Sequence, residues 1–500
     1  MTTTAPDPTT HATPAASGRS GKHWITDWRP EDEEFWENGG RQVARRNLVW
    51  SIFAEHLGFS VWLIWSVSSA FLVAQGFAFD AQQLFLLVAL PNLVGSLLRL
   101  PYTFAVPRFG GRNWTMVSAA LLLVPTLLFA HAVQQPGTPY WVFCVIAATA
   151  GLGGGNFASS MANINFFYPA AKKGAALGLN AAGGNLGVSL IQLLLPVIVG
   201  GAGIFGLVRA RESGISLQYA AYVYAVLAVV AVVAAALRMD NLSSAVSRPR
   251  EQLRVVRNRQ TWVMSLLYVG TFGSFIGYSA AMPLLIKINF WVPDPAPLGT
   301  GVFFAYYAFL GAGVGSLTRP LGGWLADRYG GARVTLAAFG GMVLFTLLVL
   351  WTLTRLTPNP AADPAVALDN RAWFPWFLAF FLCVFASSGI GNGSTYKMIP
   401  AIFRTEAERA TTPHTDERAV AVHEATKQSS AAIGIIGAVG AVGGFLIPLA
   451  FAAPWVADPL SATRGAFVVF TCFYVVCAAV TYAVYLRRSS AATSLASAGI

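Results

Sequence analysis

The sequence has 500 residues, 55% of them hydrophobic and 11% charged, against roughly 25% charged in an ordinary soluble domain. That excludes a soluble protein, a disordered chain and a disulfide-framed scaffold, and apolar blocks of about 20 residues or more exclude an outer-membrane barrel, whose strands alternate over about ten. The net charge of +11 says nothing about partners until it is placed along the chain, because a cytoplasmic excess of Lys and Arg gives the same sum.

Residues 1–24, rich in Thr, Ala, Pro and Ser and without the apolar core of a signal peptide, predict a disordered stretch within a cytoplasmic tail, 1–47. Apolar blocks follow at 48–76, 81–106, 113–133, 139–167, 174–200 and 217–238. Beyond a basic linker, 239–259, six more lie at 260–288, 299–326, 333–355, 372–400, 427–452 and 463–486, with a short tail at 487–500. The pattern predicts an all-α membrane protein of twelve transmembrane helices, arranged as an N-terminal half (48–238) and a C-terminal half (260–486).

With the N-terminus inside, the inner connections hold Arg41, Arg45, Arg46, Arg108, Arg112, Lys172, Lys173, Arg248, Arg250, Arg254, Arg257 and Arg259. Arg328, Arg333, Arg404, Arg409, Arg418, Arg487 and Arg488 follow, whereas the outer connections hold Arg209, Arg211, Arg355, Arg371 and Arg464. Both termini are therefore expected in the cytoplasm, and the basic excess is topological rather than a nucleic-acid footprint. Cys144, Cys383, Cys472 and Cys477 lie in apolar blocks without CxxC spacing. They read as packing residues, and neither a metal nor a cofactor is expected.

The two halves carry an internal repeat. Val94-Gly-Ser-Leu-Leu-Arg99 in the second block reappears as Val314-Gly-Ser-Leu-Thr-Arg319 in the eighth, and nine residues after each Arg comes Arg-aromatic-Gly-Gly, at 108–111 and 328–331. Gly151, Gly153, Gly154 and Gly155 in the fourth block are matched more loosely by Gly389, Gly391 and Gly393 in the tenth. Two similar halves of the same orientation are what a parallel-repeat transporter requires, with its site between them near the midplane. The segment Gly323-Trp-Leu-Ala-Asp327-Arg328 resembles the cytoplasmic loop motif of the major facilitator superfamily, and the counterpart after the second block lacks the Asp.

Charged side chains within a span mark function by default; here they are Glu55, Arg99, Lys287, Arg319 and Lys397. Arg99 and Arg319 each lie nine residues, about 13.5 Å, above a loop arginine, which puts both near the midplane. No acid is expected at that depth, so two buried guanidinium groups imply an anionic ligand. A planar fork favours a planar oxyanion: nitrate, nitrite, bicarbonate or a small carboxylate. The same counting puts Asn185, Phe157, Tyr268 and Phe272 in this layer. The glycine-rich run Gly151–Gly155 with Asn156 and Phe157 lacks the Lys-Ser/Thr of a phosphate loop, and Gly183, Gly187, Gly440 and Gly444 have the spacing of close helix packing.

The stretch Gly151-Leu-Gly-Gly-Gly-Asn-Phe-Ala-Ser-Ser-Met-Ala-Asn-Ile-Asn-Phe-Phe-Tyr-Pro169 resembles the nitrate signature of the nitrate/nitrite porter family, and Gly389-Ile-Gly-Asn-Gly-Ser-Thr-Tyr-Lys-Met-Ile-Pro400 resembles its second copy. Ile25–Asp32, Leu98–Phe104 and Ser265–Gly277 extend the likeness over nearly the whole chain, and the subgroup it resembles is the bacterial NarK type, which exchanges nitrate for nitrite. The resemblance implies that Arg99 and Arg319 bind the anion, that Phe157 and Phe272 sandwich it, and that Tyr268 and Asn185 hydrogen-bond to it. It also implies a cytoplasmic-membrane transporter, not an enzyme, working as a monomer with nitrate, nitrite and membrane lipid as partners. Glu55-His56 departs from the NarK type. Either the pair carries a proton, making the protein a proton-coupled symporter, or it lies near the cytoplasmic end, solvated or paired with a loop. A membrane nitrate sensor that does not transport is a third reading, for which the sequence offers no signalling domain. Lys397 reads either as topogenic or as part of the second signature.

Overall fold

The computed structural model describes residues 23–200, 214–245, 253–292, 300–358, 363–412, 416–453 and 458–487. The expectations for residues 1–22, Arg209, Arg211, Arg248, Arg250 and Arg488 lie outside the described residues. Among the described residues the fold is helical apart from two pairs of two-residue strands. Among the described residues, eleven helices are long and apolar enough to cross a membrane. They are α1 (Glu33–Gln75), α2 (Ala81–Phe109), α3 (Gly111–Ala132), α4 (Tyr140–Phe167), α5 (Ala171–Ile198) and α6 (Gln218–Arg238), then α7 (Arg259–Phe290), α9 (Gly331–Leu353), α10 (Phe374–Ala410), α11 (Val420–Phe451) and α12 (Pro459–Leu486). Between α7 and α9 lies α8 (Ala308–Tyr329), whose 22 residues are long enough to cross but which carries Arg319, Asp327, Arg328 and several glycines.

The ends of these helices follow local chemistry. Asp80 and Gln83 form a capping box at the start of α2, and Asp458 caps α12 through the Ser461 N–H at 2.8 Å. The repeated Arg-aromatic-Gly-Gly turns are the same turn in three dimensions. Gly110 after α2 has φ +88° and ψ 150°, Gly330 after α8 has φ +90° and ψ 134°, and a side chain is strained at such a φ.

Three expectations are corrected here. Trp24, placed by sequence in the disordered stretch, forms with Ile25 a parallel pairing with Asn241–Leu242, and Trp28 and Trp36 are buried with Phe167, Leu242 and Ala245. Two tryptophans give residues 23–47 enough apolar area to pack on the bundle, which a composition dominated by Thr, Pro and Ser cannot do. The segment 401–425, read as a loop, is helical over much of its length. Helix α10 continues to Ala410 because Ile402 and Phe403 are buried beneath an Arg404–Glu408 pair at 2.7 Å, and helix resumes at Asp416. Of the cysteines, Cys477 is buried while Cys472 is exposed on the outer face of α12, so it is not a packing residue.

Helix α2 packs on α4 and α11, α5 packs on α1 and α8, and the later part of α1 packs on α7. Three irregularities fall at one level of the bundle. Helix α1 breaks at Leu63 (φ −98°, ψ 10°) beside Trp62, α4 tightens at Gly151–Gly153, and α7 widens into a π turn at Val269–Gly273 that carries Phe272. Such π turns cluster at functional sites.

Candidate functional site: two arginines around one phenyl ring

Helices α2 and α8 bring Arg99 and Arg319 inward, and the glycines of the two signature stretches let them come close. A Cβ on Gly154 would stand 2.7 Å from the Trp62 indole and 2.8 Å from Gly95 Cα, and a Cβ on Gly155 would stand 2.6 Å from the Tyr102 ring. In the second copy a Cβ on Gly393 would meet the Arg319 carbonyl and stand 2.7 Å from the Gly323 nitrogen. Gly151 lies against Val94, Gly153 against the Gly58 carbonyl, Gly389 against the Gly315 carbonyl and Gly391 against Thr271. Each signature therefore seats the helix that bears an arginine.

Arg99 is fully buried and Arg319 is 6% exposed. The Arg99 guanidinium carbon lies 4.7 Å from the ring centroids of both Phe157 and Phe272 and 5.4 Å from Trp62. The Arg319 guanidinium lies 5.7 Å from Phe157 and 5.5 Å from Tyr396. Phe157 and Phe272 are stacked at 6.2 Å and 25°, and Tyr268 stacks on Phe272 at 5.3 Å and 15°. Arg99 donates to the Gly154 carbonyl at 3.2 Å and, across the bundle, to the Gly437 carbonyl at 2.9 Å. Arg319 donates to the Tyr268 hydroxyl at 3.5 Å. Arg99 Nη2 and Arg319 Nη1 are buried and have no hydrogen-bond partner among the described residues. Neither arginine forms an ion pair among the described residues. Aromatic faces offset part of each charge, and the two orphaned donors remain for an acceptor.

Five of the six residues expected at the site are thus joined by contacts: Arg99, Arg319, Phe157, Phe272 and Tyr268. The sixth, Asn185, is fully buried with both amide atoms unpartnered among the described residues, and no hydrogen bond joins it to the cluster. Asn156 is also buried and lies against α1, 3.5 Å from the Ala54 carbonyl. Trp62, Tyr396 and Gly437 were not foreseen. Tyr396 lies within the quoted second signature, but Trp62 and Gly437 have no local pattern that sets them apart.

The acids and amines are corrected in two places. Glu55 is neither solvated nor paired with a loop. It is fully buried, and Ser160 and Asn180 donate to the same carboxylate oxygen. The expectation that no acid lies at the depth of the arginines also fails, since Ser160, which bonds the Glu55 carboxylate, sits one turn from Phe157, the ring over which both arginines lie. Gly184 explains the placement, because it leaves the space on α5 that the carboxylate fills. His56 is half-buried, its Nδ1 3.1 Å from the Gly183 carbonyl. Lys397 joins the second signature to the loop motif through both oxygens of Asp327, at 2.8 and 2.9 Å. Gly323 faces the Lys397 stem, and Arg328 lies over the Trp324 and Tyr329 rings.

A cavity of about 80 Å³ runs from Arg99, Phe157 and Tyr396 past Met161 to Pro107 and Phe166, toward the end that holds the Trp24–Asn241 strand pair. Farther toward the opposite end, α5 is tied to α7 and α8: Gln192 donates to the Ser279 carbonyl at 2.6 Å and Ser189 to the Phe309 carbonyl at 2.9 Å.

Long apolar helices around a buried cationic and aromatic cluster, reached by a cavity from one end, define a membrane carrier. The chain belongs to the Major Facilitator Superfamily, whose profile matches residues 56–413, and within it to the nitrate/nitrite porters, which are transporters and not enzymes. It is 42% identical to the nitrate/nitrite transporter NarU of Escherichia coli, covering 94% of this chain and 98% of that protein. It is 38% identical to the probable nitrate/nitrite antiporter NarK2 of Thermus thermophilus over 76% of this chain and 83% of that one. Among solved structures, a D-xylose–proton symporter shares the fold, with TM-score 0.58, 13% identity, and coverage of 87% and 96%.

Proposed function

We propose that the protein carries nitrate and nitrite across the cytoplasmic membrane by alternating access, exchanging one anion for the other. The observation that carries this reading is the convergence of Arg99 and Arg319, one from each repeat, on the Phe157 ring, with one guanidinium donor of each left free for a planar oxyanion. The relatives named for nitrate and nitrite support the identity of that anion. Phe157 and Phe272 flank the anion, Tyr268 orients Arg319, and Asn185 contributes its amide when the halves close.

In this reading α8 is the twelfth span, both termini and the Trp24–Asn241 strand pair are cytoplasmic, and residues 48–238 rock against 260–486 in a single chain. The cavity beside Arg99 then faces the cytoplasm, and the Gln192 and Ser189 bonds close the outer side. Bound anion offsets the repulsion between the arginines, so the loaded carrier reorients.

Burial of Glu55 favours a second reading of the coupling, in which nitrate enters with a proton. Proteoliposome counterflow separates the two. Labelled nitrate accumulating against excess internal nitrite without a pH gradient supports exchange; uptake that requires an inward proton gradient and proceeds without internal anion supports symport. Absence of transport under both conditions, with nitrate binding intact, supports a sensor.

A further inference from the structure

Among the described residues, Glu55 is the one carboxylate that is fully buried, and the arginine clamp does not use it. Both donors, Ser160 Oγ and Asn180 Nδ2, meet Oε2, while Oε1 has no hydrogen-bond partner among the described residues and lies against Gly184. Ser160 sits one turn from Phe157, so its bond to the carboxylate ties Glu55 to the helix that presents the ring shared by the arginines. Asn180 also touches Met161, which lines the cavity, at 3.6 Å.

The charged and titratable groups around Glu55 can be named element by element. Arg99 of α2 and Arg319 of α8 lie over the Phe157 ring, one turn from Ser160, and Tyr396 of α10 and Tyr268 of α7 both face Arg319. His56 on its own helix turns to the Gly183 carbonyl. Tyr102 of α2 donates to the Leu152 carbonyl, Tyr224 of α6 is buried, and Lys172 pairs with Glu37.

We propose that Glu55 is a proton-binding site linked to the anion: ionised while the arginine pair holds no anion, and protonated when nitrate or nitrite binds. This rests on the anion reading above. Without the anion, the carboxylate offsets one of the two guanidinium charges, and the two donors on Oε2 suit its ionised form. The anion brings a second negative charge into the same low-dielectric region, and two like charges there favour protonation of the weaker acid. The proton goes to Oε1, the oxygen that no group engages. Linkage is reciprocal, so a proton on Glu55 tightens anion binding by the factor with which the anion tightens proton binding.

Nitrate titration of the purified full-length protein by calorimetry, in buffers of different ionisation enthalpy, reads affinity and proton uptake together. Between about pH 5 and 8, the wild type is expected to take up as much as one proton per nitrate and to bind more tightly on acidification, by at most about tenfold per pH unit, the limit for one linked proton. Glu55→Gln binds nitrate at every pH with unchanged affinity and takes up none. Ser160→Ala, which keeps the carboxyl but removes one donor to its ionised form, moves the uptake window to higher pH. Nitrate binding without proton uptake in the wild type, uptake that survives in Glu55→Gln, or a window unmoved by Ser160→Ala overturns the proposal while leaving the anion site standing. Failure of the wild type to bind nitrate overturns both readings together.

Discussion

The guanidinium groups of Arg99 and Arg319, 220 positions apart in the sequence, lie over one phenyl ring, 4.7 and 5.7 Å from the centroid of Phe157. A neutral side chain therefore spaces two buried cations that no ion pair neutralises among the described residues. The ring's negative face attracts each of them but supplies no hydrogen-bond acceptor, and the free donors remain for a ligand.

Replacing Arg99 or Arg319 by Lys keeps the charge but removes the planar fork. Nitrate affinity is expected to fall by about 10- to 100-fold, the equivalent of roughly 1.5–3 kcal/mol for a charged hydrogen bond. Labelled-nitrate counterflow in proteoliposomes checks this, and near-normal exchange by both variants rules out the bidentate clamp.

Phe157→Leu retains apolar volume and loses the ring that both cations share. The expected loss in nitrate binding is about 0.5–2 kcal/mol, with a larger effect than Phe272→Leu because Phe272 contacts Arg99 alone. Calorimetry on the two variants in parallel measures the difference; equal losses would point to packing rather than to a shared cation contact.

Gly154→Ala and Gly393→Ala place a methyl group where Gly95 Cα and the Gly323 nitrogen stand at 2.8 and 2.7 Å. Backbone cannot yield as a side-chain tip does, so each should cost about 1–3 kcal/mol and displace its arginine. Thermal unfolding in detergent combined with counterflow tests this: both readouts should fall, whereas Gly174→Ala, with nothing within 4 Å, should leave both unchanged.

Asp240 accepts from Arg46 at 2.6 Å and from Asn47 at 2.9 Å, fastening the residues after α6 to the first turns of α1. Asp240→Ala should destabilise by about 1–3 kcal/mol, the cost of leaving the buried Asn47 amide without its acceptor, and should speed proteolysis within 23–47. Unaltered digestion kinetics would mean that the Trp28–Trp36 cluster holds this segment without the polar fastening.

The Asp327–Lys397 pair is partly exposed, at 60% and 44%, so Asp327→Asn should change global stability by no more than about 0.2–1 kcal/mol. If the contact instead serves the motion of α8 against α10, transport falls while the unfolding midpoint holds, and the charge-swapped double variant restores it.

The sequence by itself determined the helical membrane fold, the repeat and the equal spacing of both arginines from their loop arginines. Each is a one-dimensional property: runs of apolar residues set the crossing helices, and a rise of 1.5 Å per residue converts spacing to depth. It left the azimuth of each side chain undecided, because a kink or a widened turn rotates everything beyond it. The break at Leu63 and the π turn at Val269–Gly273 make such rotations, and no local pattern marks Trp62, which lies under Arg99. Glu55 shows the same limit, since its distance along α1 is compatible with a solvated position as well as with an enclosed one. Only the tertiary structure, by setting the bare face of Gly184 and the donors of Ser160 and Asn180 against that side of α1, decided that the carboxylate is enclosed one turn from the ring the arginines share.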